Sequence, residues 1–184
     1  MKFAAAALVA LLPVAAAAQD ISVATAAGTA NAPQAPETVV AFDLAAIDTL
    51  NALGVTLDGV PDITPPAYLE EAMAQADIVG TLFEPDFEAL AVMAPDLIIA
   101  GGRSQSQVTA LADIAPTLDM TIDGTDLIGQ AKARATAYGA IFDRDAAAAD
   151  LIEALDSDIA AASDRSNGGI AFFFIDPATR EGSY

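Results

Sequence analysis

The sequence has no cysteine, no histidine and no tryptophan, and only 7 lysines and arginines stand against 26 aspartates and glutamates. Without cysteine there is no disulfide framework and no thiol to carry a lipid anchor. Without histidine or cysteine, a transition-metal site built on imidazole or thiolate is excluded, as are catalytic triads that depend on them. A formal charge of −19 excludes nucleic acid as a partner, because the phosphate backbone would be repelled. After the first eighteen residues no apolar run approaches the roughly 20 residues that a bilayer core demands. What the chain does have is apolar mass: 54% hydrophobic residues are enough to bury a core despite the charge, so the acidity reads as a solvated surface rather than a cation site.

The chain opens Met1-Lys2, continues with an apolar run from Phe3 to Leu12, then Pro13 and small residues ending Ala16-Ala17-Ala18 before Gln19. This is the pattern of a secretory signal peptide cleaved after Ala18, over residues 1–18. The mature protein would hold 6 basic against 26 acidic residues, a charge of −20, and would be free in a periplasm.

From Ile21 to Val40 a loose alternation with a turn at Gly28-Thr29 reads as a leading hairpin or arm; an unstructured Ala/Thr/Pro tail is the alternative. After Thr38 a cycle of short apolar run, turn signal and amphipathic helix repeats. Strands are expected at Val39 to Phe42, Val55 to Val60, Ile78-Val79, Leu97 to Ala100 and Leu118 to Ile122. Between them, Asp43 is placed to cap a helix ended by Gly54, and Pro65-Pro66 introduces a short helix through Met73. Pro85 suits the first turn of the next helix, and Ser104 with Gln107 forms a capping box for another. Such alternation implies an α/β fold with a mostly parallel, doubly wound sheet covered by helices on both faces. Helices then follow from Asp126 to about Phe142 and from Arg144 to about Ser163, the second long enough to join two lobes. Ile170 to Ile175 is apolar throughout, as a strand buried on both faces reads, with only nine residues after it. The expected domains are therefore an α/β lobe over 19–142, a connecting helix over 143–166, and over 167–184 the start of a second α/β lobe that is truncated.

Ligands of open parallel sheets sit beyond the carboxyl ends of the strands, so the loops after Phe42, Val60, Val79 and Ala100 hold the candidates. They contain Asp43-Leu44, Pro61-Asp62, Thr81-Leu82-Phe83-Glu84 and Gly101-Gly102-Arg103-Ser104. Arg103 is the only cation between Lys2 and Lys132 and could grip an anionic ligand by bidentate hydrogen bonds; a surface pairing with a nearby carboxylate is the plainer alternative. Leu82 and Phe83 could wall an apolar ligand or simply tuck into the core. Gly101-Gly102 lacks the spacing of a phosphate or dinucleotide fingerprint. Asp43, Asp62, Glu84 and Asp86 resemble a hard-cation cluster, but Asp43 is better explained as a helix cap and Asp86 as a first-turn charge, so no metal site is expected.

The stretches TVVAFDLAAIDTLNALGV, DGVP, VGTLFEPDFEALAVMAPDLIIAGGRS and IAPTLDMTID resemble the amino-terminal lobe of periplasmic iron-siderophore binding proteins, the helical-backbone class of ABC transporter receptors. The resemblance implies two α/β lobes joined by a long helix, with a ferric siderophore in the cleft as cargo and no cofactor. It implies that Arg103, Asp43, Leu44, Leu82 and Phe83 line the ligand site, to which the strand-end loops add Ser104 and Pro61 as expected contacts, and that Glu88 pairs with arginines of an inner-membrane permease. The implied protein is a monomeric, non-enzymatic receptor. A haem or cobalamin receptor of the same class, or an enzyme on the same lobe, are the alternatives. A chain that stops after the first lobe is expected to bind ligand weakly or to have no independent function.

Overall fold

The computed structural model describes residues 20–165. The expected leader and the run Ile170 to Ile175 lie outside the described residues. Strands β1 (Asp20–Thr25) and β2 (Gly28–Pro33) form an antiparallel hairpin, so the leading segment is an arm and not a loose tail. Its turn falls at Ala26-Ala27, two residues earlier than expected, because Gly28 takes the left-handed conformation (φ +107°) that starts the return strand. The arm is docked: Ala26 N donates to Asp119 O at 2.8 Å and Ala35 N to Ile141 O at 2.7 Å.

The remaining strands, β3 (Val39–Ala41), β4 (Gly59–Val60), β5 (Asp77–Ile78), β6 (Leu97–Ala100) and β7 (Thr117–Asp119), form a parallel sheet in the order β5-β4-β3-β6-β7. Burial on both faces explains why β3 and β6 have no polar residue. Val39, Ala41, Leu97 and Ile99 enter one core, and Val40, Phe42, Ile98 and Ala100 enter the other. The first core is covered by α1 (Leu44–Ala52), α2 (Glu70–Met73), α5 (Leu127–Ile141) and α6 (Asp145–Arg165) through Ile47, Leu50, Met73, Tyr138, Ile141 and Ala148. The second is covered by α3 (Phe87–Met93) and α4 (Val108–Leu111) through Leu90 and Leu111.

Aspartates set the ends of these elements. Asp43, Asp86 and Asp126 each accept a backbone amide at a helix start, from Ala45, Ala89 and Gly129. Where the strands begin, Asp58 Oδ2 accepts from Val39 N at 2.8 Å, and Asp96 Oδ2 accepts from Glu37 N and Thr38 N at 2.9 Å each. α5 and α6 approach closely: a Cβ on Gly139 would stand 2.7 Å from that of Ala148. α6, at 21 residues, is on the order of 30 Å long. Among the described residues, no helix is long and apolar enough to cross a membrane.

Three local expectations are corrected. Val55 to Val60 yields a strand only at Gly59–Val60, since Val55 to Asp58 is the connection out of α1. Pro85 precedes the helix instead of entering its first turn, because Asp86 takes the cap with Oδ1 3.0 Å from Ala89 N. The box between Ser104 and Gln107 does not form: a 3-10 turn over Gly102–Gln107 starts earlier, Ser104 turns back to Gly101, and Gln107 reaches away to Phe83.

Candidate functional site

In chain order the sheet grows from β3 outward to β4 and β5, then returns to the other side of β3 for β6 and β7. The direction reverses between β3 and β6, and beyond their carboxyl ends lies the crevice where such sheets take ligands. Asp43-Leu44 leaves β3 there, and Gly101-Gly102-Arg103 leaves β6. The two meet, for a Cβ on Gly102 would lie 3.7 Å from Asp43 Oδ1.

The β6 loop is tightly built. Gly101 is pressed against the end of β7, where an added Cβ would stand 2.8 Å from Thr121 N and 3.0 Å from Met120 C. Gly102 has φ +53°, a left-handed conformation that costs other residues energy. The Ser104 hydroxyl accepts from Gly101 N and donates to Gly101 O, both at 3.0 Å. Gly102 N donates to Thr121 Oγ1 at 3.0 Å, and that hydroxyl donates to Asp119 Oδ1 at 2.6 Å. Asp119 Oδ2 accepts from Gln105 Nε2 at 3.1 Å. Behind them, buried Arg134 donates from Nη2 to Thr121 O at 3.1 Å, from Nε to Met120 O at 3.3 Å, and from Nη1 to Ala24 O of the arm at 3.1 Å.

Electrostatics follow from this packing. Burial works to raise the Asp119 carboxyl, but the hydrogen bonds from Thr121 and Gln105 and the charge of Arg134 together hold it below the usual carboxylate range. Asp43 shifts the other way: burial, helped by the charge of Asp119, raises its carboxyl in spite of the amides of Ala45 and Ala46. Arg103 is exposed and makes no ion pair or side-chain hydrogen bond with the described residues, so the plainer expectation of a carboxylate partner is not met.

The neighbouring loop is also fixed in shape. Thr81 Oγ1 accepts from Phe83 N and Glu84 N, and Gly80 (φ +98°) leaves no room for a side chain, since a Cβ would meet Asp86 N at 2.4 Å. Gln107 Nε2 donates to Phe83 O at 2.9 Å, tying this loop to the one that carries Arg103. Phe83 stands 60% exposed at its tip and Leu44 36% exposed at the start of α1. Leu82, Ser104 and Pro61 are buried. Their side chains pack into the loops, whereas Leu44, Phe83 and Arg103 are exposed. Glu88 is exposed in the first turn of α3. Among the described residues, no three acidic side chains converge as a metal site would require. A cavity of about 280 Å³ bounded by Asn51, Val55, Tyr68 and Met73 lies at the other end of α1, away from this face. Asp119, Thr121, Gln105 and Arg134 escaped the sequence reading. The only local signal was the Asp-x-Thr spacing at 119–121, which favours a side-chain-to-backbone turn.

Residues 39–171 match the family described as Periplasmic binding protein. The chain belongs to that family. Among curated relatives, Petrobactin-binding protein YclQ of Bacillus subtilis is 36% identical over 132 residues, which cover 70% of this chain and 41% of that one. Ferric-anguibactin-binding protein FatB of Vibrio anguillarum is 30% identical over 90 residues, 48% of this chain and 28% of that one. In the crystal structure of YclQ the match has a TM-score of 0.76 at 30% identity, covering 81% of this chain and 54% of that one. The siderophore-binding protein BauB, solved with two molecules of acinetobactin and ferric iron, gives 0.73 at 28% identity over 79% and 54%. This periplasmic binding protein thus has the α/β fold of its siderophore-binding relatives and spans about half the length of these, or less.

Proposed function

We propose that this protein is a periplasmic receptor that captures a ferric siderophore and delivers it, without chemical change, to an ABC permease of the inner membrane. The observation that carries the reading is the Arg103 guanidinium at the reversal point of the sheet, with no ion-pair partner among the described residues. A ferric chelate with net negative charge approaching so acidic a chain needs a local cation to offset repulsion, and Arg103 supplies it with a planar fork suited to carboxylate or catecholate oxygens. Phe83 and Leu44 offer apolar surface beside it, while Asp43, Pro61, Leu82 and Ser104 hold the loops in place. The relatives named for petrobactin and ferric-anguibactin support this class of cargo. Glu88, on the outer face of α3, is the contact to permease arginines, and the receptor acts as a monomer.

Calorimetric titration with ferric petrobactin and ferric citrate, on a two-lobed version of the protein, tests the reading. Charge-assisted hydrogen bonds are worth about 1.5 to 3 kcal/mol each. Arg103→Ala should therefore bind about tenfold or more weakly, and Arg103→Lys should recover only part of the loss. Affinity equal to that of the unchanged protein in both variants would remove Arg103 from the site.

A further inference from the structure

An arginine in a chain with 26 acidic residues should find one to pair with, yet Arg103 pairs with none among the described residues. The acidic residue of the adjoining strand β7, Asp119, is engaged elsewhere. Its Oδ1 takes the Thr121 amide at 3.0 Å and the Thr121 hydroxyl at 2.6 Å, and its Oδ2 takes Gln105 at 3.1 Å. These bonds bracket Arg103. Residue 102, on one side, is held by its amide to Thr121 Oγ1, and residue 105, on the other, is held to Asp119 itself. Gly101 lies so close to Thr121 N that the loop cannot sink further toward β7. Arg134 closes the arrangement from beneath by fixing the carbonyls of Met120 and Thr121.

From this we infer that Asp119 and Thr121, backed by Arg134, are positioning residues that fix the Arg103 loop against the end of β7 and leave its guanidinium open to an anionic ligand. The assignment rests on the binding role proposed for Arg103. A ligand reaching Arg103 finds it already placed, so less ordering has to accompany binding. The hydroxyl of Thr121 is the part that matters: among the described residues it is the one side-chain group that links Gly102 to Asp119, accepting from one while donating to the other.

The test compares Thr121→Val, which keeps the shape and removes the hydroxyl, with Thr121→Ser, which keeps the hydroxyl. Both are measured beside Arg103→Ala for affinity toward ferric petrobactin, amide hydrogen exchange at Gly102, and thermal midpoint. Thr121→Val should weaken binding about fivefold, the equivalent of one lost hydrogen bond, and should speed exchange of the Gly102 amide. Thr121→Ser should restore both. The inference is overturned if Thr121→Val binds like the unchanged protein while Arg103→Ala is weakened. It is equally overturned if valine and serine weaken binding alike, for then Thr121 acts only through packing. If Arg103→Ala itself leaves affinity intact, the ligand-site reading falls and takes this one with it, so the two failures are told apart.

Discussion

Adding a single methyl group at Gly101 should damage this protein by sterics alone. The backbone there is extended (φ 169°, ψ 174°), a conformation open to any residue, so no strain arises from the dihedral angles. The obstacle is the neighbouring chain: a Cβ would stand 2.8 Å from Thr121 N and 3.0 Å from Met120 C, and neither is the end of a flexible side chain that could swing away. The ends of β6 and β7 must separate by several tenths of an ångström, straining the bond from Met120 N to Ala100 O, now 2.7 Å, and that from Gly102 N to Thr121 Oγ1. Overpacking of this kind costs about 1–3 kcal/mol. At about 2–4 °C per kcal/mol for a chain of this size, the thermal midpoint followed by far-ultraviolet circular dichroism should fall by about 2–12 °C. Gly102→Ala offers the contrast, because its position is roomy but left-handed and costs about 1–2 kcal/mol for the dihedral angles instead. Asparagine, which tolerates positive φ, should recover part of the loss at 102, whereas serine at 101 should recover none. A Gly101→Ala protein that melts and binds like the original would refute the reasoning.

Other consequences are as direct. Because the Asp119 carboxyl is held below its ordinary range, it contributes stability above the unfolded value of about 3.9, and that stability is lost as pH falls through the lower folded value. Asp119→Asn should flatten that part of the acid limb in urea melts taken across pH. Burial, with the charge of Asp43, pushes the Tyr138 phenol up, so the folded state loses stability as pH rises above about 10, and Tyr138→Phe should remove that alkaline loss. Leu50→Ala, at a fully buried position under the sheet, should cost about 2–5 kcal/mol in chemical denaturation. Glu88→Ala should leave ferric petrobactin affinity unchanged while lowering iron uptake by cells; a fall in affinity would end the docking role.

The parts of the fold that were legible in the sequence are those where one residue decides locally. Leu97 to Ala100, apolar at every position and stopped by two glycines, is a strand with the bounds expected, and Asp43 caps α1 as its position before Leu44 demands. Val55 to Val60 misled because its alternating apolar residues Val55 and Leu57 read the same whether the segment pairs with a neighbour or only packs, as Leu57 does. Arg103 was legible as the one cation in a long acidic stretch. The bracket around it was not, since Thr121, Gln105 and Asp119 acquire meaning only when β7 is laid beside β6, and Arg134 only when the arm folds back to offer Ala24 O. That Ser104 and Leu82 are buried while Phe83 is exposed was not legible either, because loop membership does not say which side chains turn inward.

The central position of β3 has a kinetic consequence. It is the first strand of the parallel sheet to be synthesised and the one that finishes in the middle, with Val39 paired to Leu97, 58 residues later. Until β6 arrives, one edge of Val39-Val40-Ala41 has no partner, and loop closure over that separation must precede the pairing that repays it. The crevice between Asp43 and Gly102 therefore comes into being late, after the β4 and β5 side of the sheet is able to form. Pulse-labelled hydrogen exchange during refolding should show the amide of Phe42, which donates to Ile99 O, gaining protection together with β6 and after the Val79 amide, which donates to Val60 O. Protection of Phe42 ahead of Val79 would reverse that order.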